Sequence, residues 1–104
     1  MPTTTIAGRP VEVNDEGFLT RADQWSDELG SELARLIGIE LGEEHWKLVR
    51  FLREDYASEG ETATLRRVST RTATPIKTIF TLFPGKPAKK MAYVAGLPKP
   101  KGCV

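Results

Sequence analysis

The chain has 104 residues, of which 39% are hydrophobic and 28% charged, and its formal net charge at pH 7 is +1. This length suits a single domain whose core needs no metal or disulfide, and the near-neutral charge excludes a protein whose whole surface attracts nucleic acid, while still allowing a local basic patch. The chain has a single cysteine, and its start does not resemble a signal peptide. No apolar run approaches the roughly 20 residues of a membrane span. These features indicate a cytoplasmic protein with no membrane segment.

The first part of the chain predicts a disordered start followed by a short β-hairpin. The first ten residues are mostly polar, so we expect little order there. Val11 and Val13 then alternate with polar residues, and the turn-forming segment 14–17 separates them from Phe18 and Leu19. The units predicted are a disordered start (1–10), a single helical domain that begins with this hairpin (11–96) and a C-terminal arm (97–104).

Apolar residues at steps of three and four predict two longer helices. The first covers about residues 22–37 and the second about residues 43–58, where Glu43 and Glu44 favour the positive N-terminal end of a helix. A glycine follows each segment and is well placed to end it. The inward residues predicted are Trp25, Leu29, Leu33, Leu36 and Ile37 in the first helix and Trp46, Val49 and Leu52 in the second.

Three shorter helices are predicted next, over about residues 62–70, 74–83 and 87–95. Thr74 followed by Pro75 is typical of a helix start, with a hydroxyl cap and a proline at the first helical position. The inward residues predicted are Leu65 and Val68, then Ile76, Ile79, Phe80 and Phe83, then Met91 and Val94. We therefore expect a mainly α (α+β) fold: a small orthogonal helical bundle with an N-terminal β-hairpin, a helix-turn-helix-like section and a flexible C-terminal arm.

The last eight residues, LPKPKGCV, predict a mobile arm that carries the single cysteine. Its two prolines cannot continue a helix, and its lysines suit a solvated segment. Cys103 has no predicted element to bury it, so it is either a functional thiol or an accidental exposed one. Lys99 and Lys101 favour its thiolate, whereas the carboxylate of Val104 opposes it. We therefore expect activation of this thiol to come from a partner's pocket.

No other arrangement of residues predicts catalysis or a metal site. His45 is the single histidine and has neither a second histidine nor a cysteine near it in sequence, so we expect no zinc site and a structural or surface role for this side chain. The glycines form no phosphate-binding loop. We expect neither a metal nor a cofactor.

A basic cluster lies around the third and fourth predicted helices. It contains Arg66, Arg67, Arg71 and Lys77. Three interpretations stay open: a solvated helical face, a helix-turn-helix that presents cations to DNA phosphates, or a docking surface for an acidic protein partner.

Four segments, in this order, resemble one known family: DEGFLTRADQW (15–25), EEHWKLVRFLREDY (43–56), TLFPGKPAKK (81–90) and AGLPKPKGCV (95–104). They resemble the TusE/DsrC/DsvC family of sulfur-relay proteins, which includes the gamma subunit of dissimilatory sulfite reductase. The resemblance implies that Cys103 carries sulfur as a persulfide, in a sulfurtransferase-like carrier that acts with partner enzymes. The residues that we expect to bind the partner along with the basic cluster are Gly96, Leu97, Pro98, Lys99, Pro100, Lys101, Gly102 and Val104.

Two departures from the family pattern narrow what the resemblance implies. Dissimilatory members have a second cysteine eleven positions before the last one, where this chain has Ala92, so an internal disulfide or trisulfide cannot form. The stretch between Gly60 and Phe83 is also shorter than in those members. Both departures favour a TusE-like or regulatory relative over a sulfite reductase partner.

The resemblance also implies protein partners, namely an upstream sulfur donor complex and a downstream acceptor such as a tRNA thiolase. The pathway would be tRNA 2-thiouridine synthesis or sulfur oxidation. Two alternatives stay open beside the carrier. One is a helix-turn-helix DNA-binding regulator of sulfur-metabolism genes, and the other is a non-transferring regulatory subunit whose arm plugs a partner enzyme.

Overall fold

A computed structural model describes residues 3–6 and 8–100. Within them lie two strands and five α-helices, so the predicted mainly α fold with a small β element is confirmed. The predicted number of helices is also confirmed for this part of the chain. The elements are β1 (Thr3–Ile6), β2 (Arg9–Glu12), α1 (Asp27–Leu36), α2 (Glu43–Glu59), α3 (Leu65–Thr72), α4 (Ile76–Leu82) and α5 (Pro87–Val94).

The β-hairpin lies earlier in the chain than predicted. Strands β1 and β2 pair antiparallel, with Thr4 opposite Val11 and Ile6 opposite Arg9. The threonines of β1 are β-branched and favour an extended backbone, which the prediction from polarity overlooked. The strands lie partly within the segment 1–10 that we expected to be disordered.

The predicted turn at residues 14–17 is confirmed, but it closes a single bridge and not a hairpin. Val13 and Leu19 form an isolated antiparallel bridge across it. The Asn14 side chain accepts hydrogen bonds from the backbone N–H groups of Glu16 and Phe18, at 2.9 and 3.1 Å. Backbone bonds flank the bridge as well, from the N–H of Asn14 to the carbonyl of Phe18 at 2.9 Å and from the N–H of Thr20 to the carbonyl of Glu12 at 3.0 Å.

The first predicted helix is interrupted near its start. Residues Ala22–Gln24 form one 3₁₀ turn, and α1 begins only at Asp27. The hydroxyl of Ser26 accepts from the backbone N–H of Leu29 at 3.2 Å and so caps α1. Trp25 therefore lies outside the helix, and Leu36, which we expected to face inward, is 53% exposed at its end.

Helix α4 buries a narrower face than predicted. Ile79 and Phe83 are buried, whereas Ile76 and Phe80 are 43% and 42% exposed. The hydroxyl of Thr74 does not cap this helix, because it lies in hydrogen-bond contact with the hydroxyl of Thr72 at 2.9 Å. Pro75 occupies the cap position instead of the first helical turn.

The main core lies between α2 and the other helices. Helix α2 packs against α5 and α3, helix α4 packs against α3 and α5, and α1 packs against α5 and β1. None of the helices within residues 3–6 and 8–100 is long and apolar enough to cross a membrane. The main core residues are Ala34, Ile39, Leu48, Val49, Leu52, Ala63, Val68, Ile79, Phe83, Met91, Val94, Ala95 and Leu97.

Candidate functional site at the base of the arm

The C-terminal end of α5 leads directly into the arm, residues 97–104, and is closed by a glycine motif. Gly96 has φ +71°, its N–H donates to the carbonyl of Tyr93 at 3.2 Å, and the N–H of Leu97 donates to the carbonyl of Ala92 at 3.0 Å. This pair of bonds is the Schellman arrangement that ends many helices. Leu97 is 1% exposed. It therefore belongs to the core, although we expected the arm to begin at this residue.

Trp25 packs on this helix end through its indole ring. Its Nε1–H donates to the carbonyl of Val94 at 2.8 Å, which satisfies one of the unpaired carbonyls at the end of α5. The ring is held between two glycines. A Cβ added at Gly96 would lie 2.4 Å from Trp25, and one added at Gly30 would lie 2.7 Å from it. Both positions therefore need glycine for the indole to fit.

Arg53 binds the next carbonyl, that of Ala95, and joins the base of the arm (residues 94–97) to the 3₁₀ turn before α1. Its guanidinium donates to the carbonyl of Ala95 at 2.7 Å and to that of Ala22 at 2.9 Å. The same group lies 4.3 Å from the centroid of the Trp25 ring, in cation–π contact. Burial lowers the pKa of Arg53 from its ordinary value, and the attraction of Asp27 opposes this change. The guanidinium remains charged and bridges three segments of the chain.

Two further contacts hold the first exposed residues of the arm. The Thr62 hydroxyl donates to the carbonyl of Pro98 at 2.7 Å. The Lys99 ammonium lies 3.3 Å from a carboxylate oxygen of Glu16, and Lys89 lies 3.8 Å from the same oxygen. The arm is thus fixed to the body at residues 97–99, where we expected it to be mobile. Cys103 lies outside the described residues, as do Lys101, Gly102 and Val104, so their predicted roles stay predictions.

Two clefts flank these contacts. One has a volume of about 180 Å³ and is lined by Tyr56, the 60–64 connection and the Pro98–Lys99 segment. The other has a volume of about 460 Å³ and lies beyond Glu16. The residues that line the larger cleft are Glu16, Phe18, Ile37, Gly85, Lys86, Lys89, Lys90 and Tyr93.

The predicted basic cluster divides into free and paired cations. Arg66, Arg71 and Lys77 are exposed, and none of them has an ion-pair partner among residues 3–6 and 8–100. Arg67 instead forms a two-pronged hydrogen-bonded ion pair with the buried carboxylate of Asp55. This hydrogen bond is the main cause that raises the pKa of Arg67. Arg67 therefore stabilises the packing of α3 on α2 and is poorly placed to bind a partner.

The charges are also divided along the sequence. All fourteen Asp and Glu residues precede residue 62, whereas nine of the fifteen Lys and Arg residues follow it. The segment that forms α3, α4, α5 and the arm is therefore basic throughout. The net charge of the whole chain, which is near zero, does not show this division. Counting acidic and basic residues separately before and after residue 62 does show it.

His45 has a structural role. Its Nδ1 accepts from the backbone N–H of Gly42 at 3.1 Å, and its Nε2 donates to the carbonyl of Leu82 at 3.0 Å. The ring also packs edge-on against Phe83. Within the described part of the chain, no three His, Cys, Asp or Glu side chains are grouped to hold a metal ion. The structural role that we predicted for His45 agrees with these contacts.

Known proteins are similar to this chain over most of its length. The family model described as DsrC-like protein matches residues 5–104. The gamma subunit of dissimilatory-type sulfite reductase from Nitratidesulfovibrio vulgaris is 36% identical over 105 residues, which cover all of both chains. Sulfurtransferase TusE from Escherichia coli is 35% identical over 104 residues, which cover 93% of this chain and 95% of TusE.

Solved structures give the same result. The NMR structure of Allochromatium vinosum DsrC has a TM-score of 0.85 and 33% identity, over 98% of this chain and 97% of that one. The crystal structure of the oxidized gamma subunit of dissimilatory sulfite reductase (DsrC) from Archaeoglobus fulgidus has a TM-score of 0.83 and 33% identity, over 99% of this chain and 100% of that one. The chain therefore belongs to the DsrC-like protein family, as its sequence motifs predict.

Proposed function

We propose that this chain is a sulfur carrier that takes up sulfur as a persulfide on Cys103 and passes it to a protein partner. The observation that carries the proposal is the family match, which runs through residue 104 and so includes the cysteine. The relatives named above are a sulfurtransferase and a sulfite reductase subunit, so both names support a role in a sulfur relay with protein partners.

The proposed chemistry is thiol exchange. The Cys103 thiolate attacks the outer sulfur of a donor persulfide, a new S–S bond forms at Cys103, and the S–S bond of the donor breaks. The donor leaves as a thiolate, and Cys103 becomes a persulfide with no net oxidation. The second step repeats the exchange on an acceptor thiol and returns Cys103 to its thiolate.

The partner supplies activation in this proposal. Both ring nitrogens of His45 are already bonded to backbone groups, so this histidine is not free to act as a base for Cys103. Ala92, which stands where dissimilatory relatives have a second cysteine, is fully buried. With one cysteine in the chain, each transfer step needs a thiol or persulfide from another molecule.

We place this relay in the cytoplasm, with an upstream donor complex and a downstream acceptor such as a tRNA thiolase. The single cysteine fits a reducing compartment. The basic second half of the chain favours partners with acidic surfaces, because complementary charge raises the rate of association. The pathway that we propose is tRNA 2-thiouridine synthesis, with sulfur oxidation as the second choice.

Sulfur loading tests this function directly. The protein is incubated with a persulfide donor and its intact mass is measured before and after. We expect the gain of one sulfur atom in the native chain and no gain in Cys103→Ser. A native chain that gains no sulfur, or a Cys103→Ser variant that gains as much, would show that the proposal is wrong.

A DNA-binding regulator is the second candidate. The exposed cations Arg66, Arg71 and Lys77 lie on α3 and α4, which are joined by three residues, and this favours a helix-turn-helix use of the region. Titration with duplex DNA at low and moderate salt tests it. Tight, sequence-dependent binding that weakens steeply with salt would favour the regulator, whereas weak binding without sequence preference would remove it.

A further inference from the structure

The cleft of about 460 Å³ that lies beyond Glu16 combines apolar side chains with basic ones. We name it the lysine cleft, because three lysines line it: Lys86, Lys89 and Lys90. Glu16 is the one acidic residue among the described residues that line it, so the cleft has a net charge of +2, in a chain whose overall net charge is +1. This local charge favours an anionic occupant.

Helix α5 and the residue before it supply most of this positive charge. Met91 and Val94 of α5 are buried in the core, whereas Lys86, Lys90 and Tyr93 follow one another at steps of four and three, on another side. Lys86 and Lys90 have no ion-pair partner in the described part of the chain. Like charges at this spacing repel each other, so the chain keeps two cations here at a small cost in stability.

The neighbours Lys89 and Lys90 have different surroundings. The Lys89 ammonium lies 3.8 Å from a carboxylate oxygen of Glu16, which offsets part of its charge. The Lys90 ammonium lies beside the loop before α5, since a Cβ added at Gly85 would be 3.7 Å from it. Lys86 belongs to the same loop. An incoming carboxylate can therefore pair with Lys86 and Lys90 without displacing another carboxylate from either.

The apolar part of the lysine cleft consists of Phe18, Ile37 and Tyr93. The rings of Phe18 and Tyr93 pack edge to face, with centroids 5.8 Å apart, while Ile37 and Tyr93 remain partly exposed. Burial raises the pKa of the Tyr93 phenol, so its hydroxyl stays protonated and is able to donate to a carboxylate. A solvated helical face needs no such apolar surface, so the cleft suits a ligand that carries both an apolar group and negative charge.

We propose that the lysine cleft docks an acidic segment of a partner protein. An aromatic or aliphatic side chain of that segment covers Phe18, Ile37 and Tyr93, and its flanking carboxylates pair with Lys86 and Lys90. A short protein segment supplies both parts, whereas inorganic phosphate or the phosphates of duplex DNA would leave the apolar surface uncovered. The use of this docking in sulfur transfer rests on the proposed function, but the binding itself does not.

Peptide selection tests the docking site without any persulfide chemistry. The full chain with Cys103→Ser, which prevents thiol exchange with the probes, selects from a display library of short random peptides that lack cysteine. We expect peptides in which several Asp or Glu residues surround an aromatic or aliphatic one. The best of them should shift the backbone amide signals of residues 16–18, 37 and 85–93. A selection that enriches no acidic peptide, or amide shifts confined to α3 and α4, would overturn the proposal.

Two charge changes should act in opposite directions on the affinity for the selected peptide. Lys90→Gln should weaken binding about two- to fivefold, the range of one exposed ion pair, and Glu16→Gln should strengthen it by a similar factor. Lys47→Gln and Asp15→Asn make the matching changes at exposed residues that do not line the cleft, and both should bind as the native chain does. Equal effects in the cleft variants and their controls would overturn the site, because net charge alone would then explain them.

The apolar part of the cleft has its own matched pair of variants. Ile37→Ala shortens a lining side chain and should weaken peptide binding roughly fivefold through lost apolar contact. Leu36→Ala changes the neighbouring residue, which is exposed and does not line the cleft, and should leave the affinity unchanged. Amide spectra of both variants check that the fold is native. An equal affinity for Ile37→Ala and Leu36→Ala would contradict the apolar contact.

Other occupants of the lysine cleft are distinguished with defined probes. Inorganic phosphate and adenosine monophosphate are titrated into the chain, and sedimentation measures its self-association. Tighter binding of either small anion at the cleft amides than of the best peptide would overturn the proposal, as would a dimer that covers the same amides. A chain that loads sulfur but binds no acidic peptide here would keep the carrier function and lose this docking site, so the two failures are distinct.

Discussion

At the scale of single residues, the arm base depends on side chains that bind backbone carbonyls far away in sequence. Trp25 and Val94 are 69 residues apart, and Arg53 and Ala95 are 42 apart. Neither contact follows a helical or strand period, so sequence patterns do not reveal them. Trp25 and Arg53 lie within segments that resemble the family, but no sequence pattern indicated which groups these two side chains contact.

Gly96 provides a sharp test of the arm base. Gly96→Ala puts a Cβ into the left-handed region and into the Trp25 ring, so we expect a loss of stability above about 2 kcal/mol from backbone strain and overpacking. Gly60→Ala is the matched control, because Gly60 has a similar φ of +78° and no atom within 4 Å of the added Cβ. Its loss should be about 1 kcal/mol. Equal urea midpoints for the two variants would contradict the close Trp25 contact.

Arg66 and Arg67 are neighbours in sequence with different roles. Arg67→Met leaves the Asp55 carboxylate buried without its partner, so the urea midpoint should fall clearly. Arg66→Met removes an exposed cation with no ion-pair partner in the described residues, so its midpoint should stay near the native value. A destabilised Arg66→Met with an unaffected Arg67→Met would reverse this assignment.

At the scale of elements, helix positions were predicted well because apolar periodicity is a strong signal. Helix α2 begins at the predicted Glu43 and ends one residue beyond the predicted end. The errors lie where a polar side chain competes with the backbone. Ser26 moves the start of α1, and Asn14 closes a turn that we interpreted as a hairpin.

The Ser26 cap makes a prediction for α1. Ser26→Ala removes the hydroxyl that accepts from Leu29, and we expect a loss of about 1 kcal/mol. Ser31→Ala is the control, because Ser31 is exposed within the same helix. That change should be neutral or slightly stabilising, since alanine is the better helix former. Thermal unfolding of both variants measures the difference, and equal melting temperatures would show that Ser26 is not the cap.

At the scale of the whole molecule, the first residue of the arm, Leu97, is part of the core. The sequence predicted an arm that separates from the body at residue 97, but Leu97 is buried. A chain cut after Gly96 should therefore lose about 2–5 kcal/mol, the usual effect of removing a buried leucine side chain. A chain cut after Leu97 should recover most of that loss. If both truncated chains melt together with the full chain, Leu97 does not contribute to the core.

The charge division between the two halves of the chain also belongs to this scale. The basic cluster was found from sequence, but Arg67, which pairs with Asp55, could not be told from Arg66, Arg71 and Lys77, which have no ion-pair partner in the described part of the chain. That distinction needs the position of Asp55, which lies on a different helix. Sequence could therefore indicate the basic surface and Cys103, but it could not identify which cation pairs with Asp55 or where residues 97–99 contact the body.

Transfer of labelled sulfur tests the sulfur-carrier account most directly. The native chain is loaded from a persulfide donor that contains isotopically labelled sulfur and is then separated from the donor. Small thiols are removed from a protein fraction of the chain's own host, and the loaded chain is mixed with that fraction. We predict that the chain loses one labelled sulfur atom while the label appears on a host acceptor, and that a Cys103→Ser chain delivers none. Label that never binds to Cys103, or that leaves it only as free sulfide, would contradict the account.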